Sequence, residues 1–208
     1  MMAITIDGSG TITGINAGGL PDGSVTADDL ATDSVTTAKI EDSAVTAGKL
    51  SGKTFVSYAV ICDQKASNAD GGTFLSGAWR TRDLNTEIFD PDGIVSISSN
   101  QFTLGTVGTY FIKFSAPASQ VNSHQAVLFD ITGSAFVQLG STEHSASAGS
   151  QTRSEGCARV TITAPRTYEI QHRCGLDRST YGFGVGTSGS FTWGDTIYTL
   201  VEIYKEAG

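Results

Sequence analysis

Residues 100–114 read NQFTLGTVGTYFIKF. From Gly108 onward the run alternates. Tyr110, Ile112 and Phe114 fall on one side, and Phe111 and Lys113 on the other. Successive side chains of a strand point to opposite faces, so this pattern predicts a half-buried β-strand. Tyr110, Ile112 and Phe114 are the side expected to face a core. Residues 101–104 form a second strand candidate, separated from the first by a glycine turn.

The same texture continues from Phe55 to the end of the chain. Residues 55–62 predict a strand. Residues 79–88 predict another, closed by the turn Asp90-Pro91-Asp92-Gly93, whose residue types suit a tight turn. Residues 94–97 and 101–104 flank Ser98-Ser99-Asn100. Residues 126–131 and 135–139 predict a hairpin across Thr132-Gly133-Ser134. A second hairpin is expected from residues 159–162 and 168–173 across Ala164-Pro165-Arg166. Residues 181–185 and 197–204 complete the set. About ten short strands without an amphipathic helix predict an antiparallel β-sandwich.

A different pattern precedes it. Residues 23–50 contain DGSVTADDL, TDSVTTAKI and DSAVTAGKL, which place Val25, Val35 and Val45 ten residues apart. Thr26, Thr36 and Thr46 follow them, and Leu30, Ile40 and Leu50 close the units, so large apolar residues recur every five positions. Five residues match neither the helical period nor the strand period. Each unit is therefore expected to be composite, a short extended piece leading into a turn or helical segment opened by the threonine. Only the first unit has an acid three residues after its threonine, Asp29, and only it reads as a capping box. A unit with two large apolar side chains cannot bury them alone, and short repeats solve this by stacking on neighbours. With three units in the chain, the neighbours are expected to be other copies. Upstream, Ile4-Thr5-Ile6 and Thr11-Ile12-Thr13 read as small strands separated by glycine turns.

At residues 100–114 the chain resembles the C1q/tumour-necrosis-factor-like jelly roll. Phe102, Gly108, Tyr110 and Phe114 fill the positions of that family's central signature, a Phe-led strand, a Gly turn and Gly-x-Tyr-x-x-x-Phe. Residues 198–204, YTLVEIY, suit its closing strand. Joined to ten-residue repeats, such a head resembles the fibre and appendage proteins of tailed bacteriophages, marine and cyanobacterial phages especially. The resemblance implies a homotrimer. The expected organisation is an N-terminal docking segment (1–22), a repeat-containing trimeric stalk (23–52) and a mainly β, antiparallel jelly-roll head (53–208).

Composition excludes several classes. Glycine contributes 25 of 208 residues, above the usual share, and charged residues only 16%, well below it. That balance suits a β-rich surface protein better than a helical enzyme. The net charge is −8, and the first fifty residues carry −5 of it, seven acids against Lys39 and Lys49. This is not a nucleic-acid footprint. No run is long and apolar enough to span a membrane, and the N-terminus lacks the basic flank and apolar core of a secretory signal. Cys62, Cys157 and Cys174 fit neither a disulfide framework nor a metal site. They are expected to be small buried residues, with a Cys157–Cys174 bridge between adjacent strands left open.

No catalytic constellation stands out. His124, His144 and His172 belong to no metal-ligand spacing, and a lone strand histidine is expected at a surface or an interface. Asp90, Asp92 and Asp195 lie in expected loops. Some C1q-like heads hold calcium through loop carboxylates, but Asp90 and Asp92 belong to a turn that favours Asp for backbone reasons. Gly182, Gly184, Gly186 and Gly189 lack the lysine and following helix of a phosphate loop. No metal and no cofactor is expected. Trp79, Arg80, Arg82, Arg173, Arg178, Tyr181, Phe183 and Trp193 lie near expected strand ends or loops, and aromatic and Arg residues are enriched where proteins bind partners.

The expected function is structural and adhesive. The protein would be a homotrimeric virion component, assembled in the host cytoplasm and attached to other virion proteins through its N-terminal segment. Val25, Leu30, Val35, Ile40, Val45 and Leu50 are the expected stalk contacts. Arg178 and Tyr181 are the candidate residues facing a host-surface saccharide or protein. A capsid decoration protein or head fibre is the alternative to a tail fibre. An enzymatic spike would need paired carboxylates at a set separation, which the sequence does not offer.

Overall fold

The computed structural model describes residues 5–6, 12–13, 25–32, 34–41, 44–45, 55–146, 149–187 and 194–207. The chain divides into two compact units, Met1–Thr46 and Ala47–Gly208.

In the first unit, β1 (Thr5–Ile6) pairs antiparallel with β2 (Ile12–Thr13), Thr5 opposite Thr13 and Ile6 opposite Ile12. Ile4 and Thr11 of the expected strands lie outside the described residues. The repeats then show why apolar residues recur every five positions. The backbone N–H of Asp29 donates to Thr26 O at 3.1 Å, Ser34 to Ala31 at 3.0 Å, Lys39 to Thr36 at 2.9 Å and Ala44 to Glu41 at 2.9 Å. Each bond closes a four-residue turn. Leu30, Val35 and Ile40 are the single residues left between successive turns, and Val25 and Val45 flank the first and the last. Two of the turns contain 3-10 segments, Ala27–Asp29 and Thr37–Lys39.

The Asp29 carboxylate accepts from the Thr26 backbone N–H at 2.8 Å and from its hydroxyl at 2.7 Å, as a capping box would. Those bonds hold its carboxyl below the usual carboxylate range. In the second unit Lys39 stands in place of that acid, and its Nζ donates to Ser34 O at 2.6 Å instead. Within a single chain the five apolar side chains remain 41% to 52% exposed. Leu50 lies outside the described residues.

The second unit is built from β3 (Phe55–Lys65), β4 (Arg80–Thr81), β5 (Thr86–Phe89), β6 (Val95–Ser98), β7 (Gln101–Leu104), β8 (Gly108–Ser119), β9 (Asn122–Asp130), β10 (Ala135–Leu139), β11 (Glu143–Ser145), β12 (Gln151–Ile162), β13 (Arg166–Cys174) and β14 (Thr196–Glu206). One sheet has the order β12-β8-β14-β3-β5. The other runs β10-β9-β13-β7-β6, with β4 also on β13 and β11 also on β9. All registered pairs are antiparallel. They are nested, with β3 on β14, β7 on β13, β8 on β12 and β9 on β10. One long double ribbon folded over on itself gives this nesting, and the result is an antiparallel jelly-roll sandwich.

Tyr110, Ile112 and Phe114 are buried between the sheets with Phe102, Leu104, Leu128, Tyr168, Ile170, Val201 and Ile203. The expected core face of β8 is therefore the observed one. Gly108 has φ +145°, a conformation side chains rarely adopt, and a Cβ there would press on Lys205. Gly156 stands opposite Phe114, and a Cβ on it would overlap the Phe114 ring.

Several local expectations are corrected. Residues 79–88 are not one strand. β4 joins one sheet and β5 the other, so residues 82–85 cross between the layers and carry Arg82 and Leu84 into the interior. Residues 159–162 and 168–173 do not form a hairpin. β12 and β13 lie in different sheets, and residues 163–165 turn the corner between them. Residues 181–185 form no strand, and Tyr181 makes only an isolated bridge to Gly72. By contrast β9 and β10 form the expected hairpin, and the two strands expected to flank Ser98-Ser99-Asn100 pair as β6 and β7, with Ser99 and Asn100 both at positive φ. Cys62 and Cys174 are buried, but Cys157 is exposed. All three are free, and a Cys157–Cys174 bridge is excluded because β12 and β13 are not adjacent.

Candidate assembly and binding surfaces

Strand parity sets the outward face of the five-stranded sheet. Phe111 of β8, Tyr204 of β14 and Tyr58 of β3 stand side by side across three strands. Tyr204 is the hub. Its ring stacks on Tyr58 at 4.6 Å and lies 5.0 Å from Phe55 and 6.3 Å from Phe111. Phe89 of the edge strand extends the group at 6.0 Å from Tyr58. Phe55 and Phe89 are each half exposed, with Val56 and Ile88 beside them in sequence. Burial among these rings raises the Tyr58 hydroxyl pKa.

One row further along, Lys113 Nζ meets Glu202 Oε2 at 2.8 Å. Beyond that ion pair, Ser115, Arg153, Glu155, Cys157, Ile197 and Leu200 surround a cleft of about 580 Å3. The outward face thus passes from aromatic at the Phe55 end to mixed and charged toward the Lys65 end. An aromatic patch of this kind is what a protein covers with a partner.

The same registers locate the loops. Lys205, Tyr110 and Ser57 mark the Phe55 end, and Thr196, Lys65 and Ser119 the opposite one. Thr132-Gly133-Ser134 follows Asp130, which pairs with Tyr168 close to the corner at residues 163–165. It therefore lies at the Phe55 end. Asp130 holds it through Gly133 N–H at 2.8 Å and is itself held by Arg166 at 3.0 Å.

Arg178 and Tyr181 lie at the Lys65 end and belong to one tightly bonded loop. The backbone of Arg178 pairs with Phe74 in both directions. Its Nε donates to Gln120 O at 3.2 Å, and its guanidinium lies 5.5 Å from the centre of the Tyr181 ring. The Tyr181 hydroxyl donates to Gln120 Oε1 at 3.5 Å. Both side chains are half-buried, with polar groups directed into the loop that they shape.

The interior near that end holds a polar cluster that sequence reading missed. Arg82 is fully buried. Its Nε donates to Thr199 Oγ1 at 2.8 Å, Nη1 to Pro117 O at 3.1 Å and Nη2 to Phe183 O at 2.8 Å, and its guanidinium caps the Phe183 ring at 4.1 Å. Burial lowers its pKa to about 9, which leaves it charged near neutrality.

His124 and His172, expected at a surface or an interface, are both buried inside the sandwich. His124 Nδ1 and His172 Nε2 are 3.0 Å apart, and His124 Nε2 is 2.8 Å from Thr152 Oγ1. His172 Nδ1 has no hydrogen-bond partner among the described residues. The tautomers that strand least are Nε2–H on both rings. His172 then donates to His124, which donates to Thr152, and the orphan is an acceptor rather than a donor. Burial lowers the His124 pKa to about 4 and the His172 pKa well below the usual value, with Arg82 opposing charge on both. The parity of His124 with Ala126 and Leu128, and of His172 with Ile170 and Tyr168, was the available signal.

The acidic loop residues are occupied locally. Asp90 accepts the N–H groups of Ile94 at 3.0 Å and Val95 at 2.9 Å, Asp92 takes Ser57 Oγ at 2.6 Å, and Asp195 takes Gln64 Nε2 at 2.6 Å. No group of three metal-ligating side chains is assembled among the described residues. Of the eight aromatic and Arg candidates, Arg82 and Phe183 are interior, Trp193 lies outside the described residues, and Trp79 and Arg173 share one groove.

No protein-family model matches this chain, and no curated protein does. Solved structures similar to it include the globular domain of zebrafish complement 1qA protein. That match has 13% identity, covers 72% of this chain and 96% of the other, and has a TM-score of 0.47. Eiger TNF from S. frugiperda matches at 12% identity over 72% and 92%, with a TM-score of 0.48. Murine APRIL at pH 5.0 matches at 5% identity over 72% and 98%, also with 0.48. At these values neither a family nor a residue role follows from the likeness.

Proposed function

We propose that this protein is a homotrimeric structural and adhesive component of a tailed-phage virion, acting as a short tail fibre. The observation that carries the oligomer is the aromatic group around Tyr204, half exposed on a sheet face whose neighbouring charges, Arg159 with Glu206 and Lys113 with Glu202, are paired with each other. The five half-exposed apolar residues spaced by four-residue turns support it independently, since a repeat that exposes one apolar side chain per turn gains by packing on copies of itself. The residues before them would dock on other virion proteins. Three copies of a head multiply weak single contacts into avidity. Light scattering at micromolar concentration tests the oligomer, with a trimer mass expected and a monomer mass overturning it. Particles lacking the protein test the role. Reduced adsorption to host cells is the expected result. Normal adsorption with weakened capsids would assign it to capsid decoration instead.

A further inference from the structure

Beside the outward face of the seven-stranded sheet, toward the Lys65 end, lies a groove of about 420 Å3, within the range of ligand clefts. Trp79 forms one wall. It packs at 5.3 Å against Phe136, which meets Phe129 edge-on at 5.6 Å. Arg173 of β13 and Gln125 of β9 stand opposite each other, and Ser123 and Thr142 complete the polar side. The Gln125 amide is fixed by Nε2 donating to Gly140 O at 2.8 Å, which leaves its carbonyl oxygen as an acceptor.

Arg173 is exposed and has no hydrogen-bond or ion-pair partner among the described residues. The other six arginines each have one. No Asp or Glu lines the groove, although the chain carries a net charge of −8. One unpaired guanidinium in a carboxylate-free groove of an acidic protein marks a place for a single anionic group. The rest of the lining is the Trp79 indole on one side and the amide and hydroxyl groups of Gln125, Ser123 and Thr142 on the other, with His124, Cys174 and Gly175 completing it. A pyranose ring has that division, with an apolar C–H face and a rim of hydroxyls.

We propose that this groove binds a saccharide bearing a carboxylate. Trp79 receives the C–H face of the sugar, Arg173 holds the carboxylate through two parallel N–H bonds, and Gln125, Ser123 and Thr142 take hydroxyls. Every one of these residues comes from one chain, so the site does not depend on the trimer.

The test is calorimetric titration of the whole protein with galacturonate, glucuronate and sialyl oligosaccharides, each beside its methyl ester. At least one acid should bind about tenfold or more tightly than its ester, the scale of one charge-assisted hydrogen bond. Arg173→Gln, on an exposed side chain, should bring the acid to the level of the ester with unchanged melting. Trp79→Ala should weaken acid and ester alike. The proposal is overturned if no acid is preferred to its ester, or if Arg173→Gln leaves the preference intact. A monomeric mass in light scattering would not touch either result.

Discussion

Phe114 lies under Gly156 and is packed on every side, so truncating it leaves a cavity that the sheets cannot close. Phe114→Ala should cost about 3–5 kcal/mol in reversible denaturant unfolding. A loss under about 1 kcal/mol would mean the ring contributes little to the core. The histidine pair gives a pH dependence of definite sign. His124 titrates near 4 when folded, and burial holds His172 well below the ordinary value near 6.5. Protons therefore bind the unfolded chain first, and stability present above pH 6.5 is lost as pH falls toward 4. For His124 the opposing neighbours are Arg82 and His144, with Glu143 favouring charge. For His172 they are Arg82 and His124. Melting temperature should fall between pH 7 and pH 5. In His172→Phe, whose ring would sit against Phe74, part of that fall should disappear. A pH profile identical to wild type would remove His172 from the account.

At the scale of elements, residues 100–114 were legible because one face is apolar and the other is not, and the hairpins at Ser99-Asn100 and Gly133 were legible from turn chemistry. The segment from Trp79 to Phe89 was not. Its residues alternate as a strand would, but the chain leaves one sheet and enters the other inside that stretch, and only the buried Arg82 records the crossing. The groove was half legible. Trp79 and Arg173 stood out by type, yet 94 positions separate them, and only the pairing of β4 and β9 with β13 brings them together. In the repeats, Val35 and Ile40 each sit between two turns that need no side chain from them. Changing both to Asp should keep those turns yet prevent copies from packing. Limited proteolysis should then cut before Phe55 while the sandwich stays intact, and an unchanged digestion pattern would show that the two residues touch no partner.

For the whole molecule, the proposed assembly rests on the aromatic face. Tyr204→Lys removes the hub and adds a charge on an outward position, so the sandwich should melt near its normal temperature while the particle mass falls toward that of one chain. A trimer that persists would place the contact elsewhere. The nested pairing adds a consequence in time. β3 leaves the ribosome early, but its partner β14 is the last strand of the sandwich to be made, on the order of ten seconds later at ordinary elongation rates. Until then β3 and β8 flank an empty lane, and Tyr58, Phe55 and Phe111 have no Tyr204 between them. A nascent chain that stops short of β14 thus lacks both the strand that closes its sheet and the ring that gathers its aromatic face. In the trimer proposed above, unfinished copies would lack the surface by which finished ones join, a proofreading of length by geometry alone.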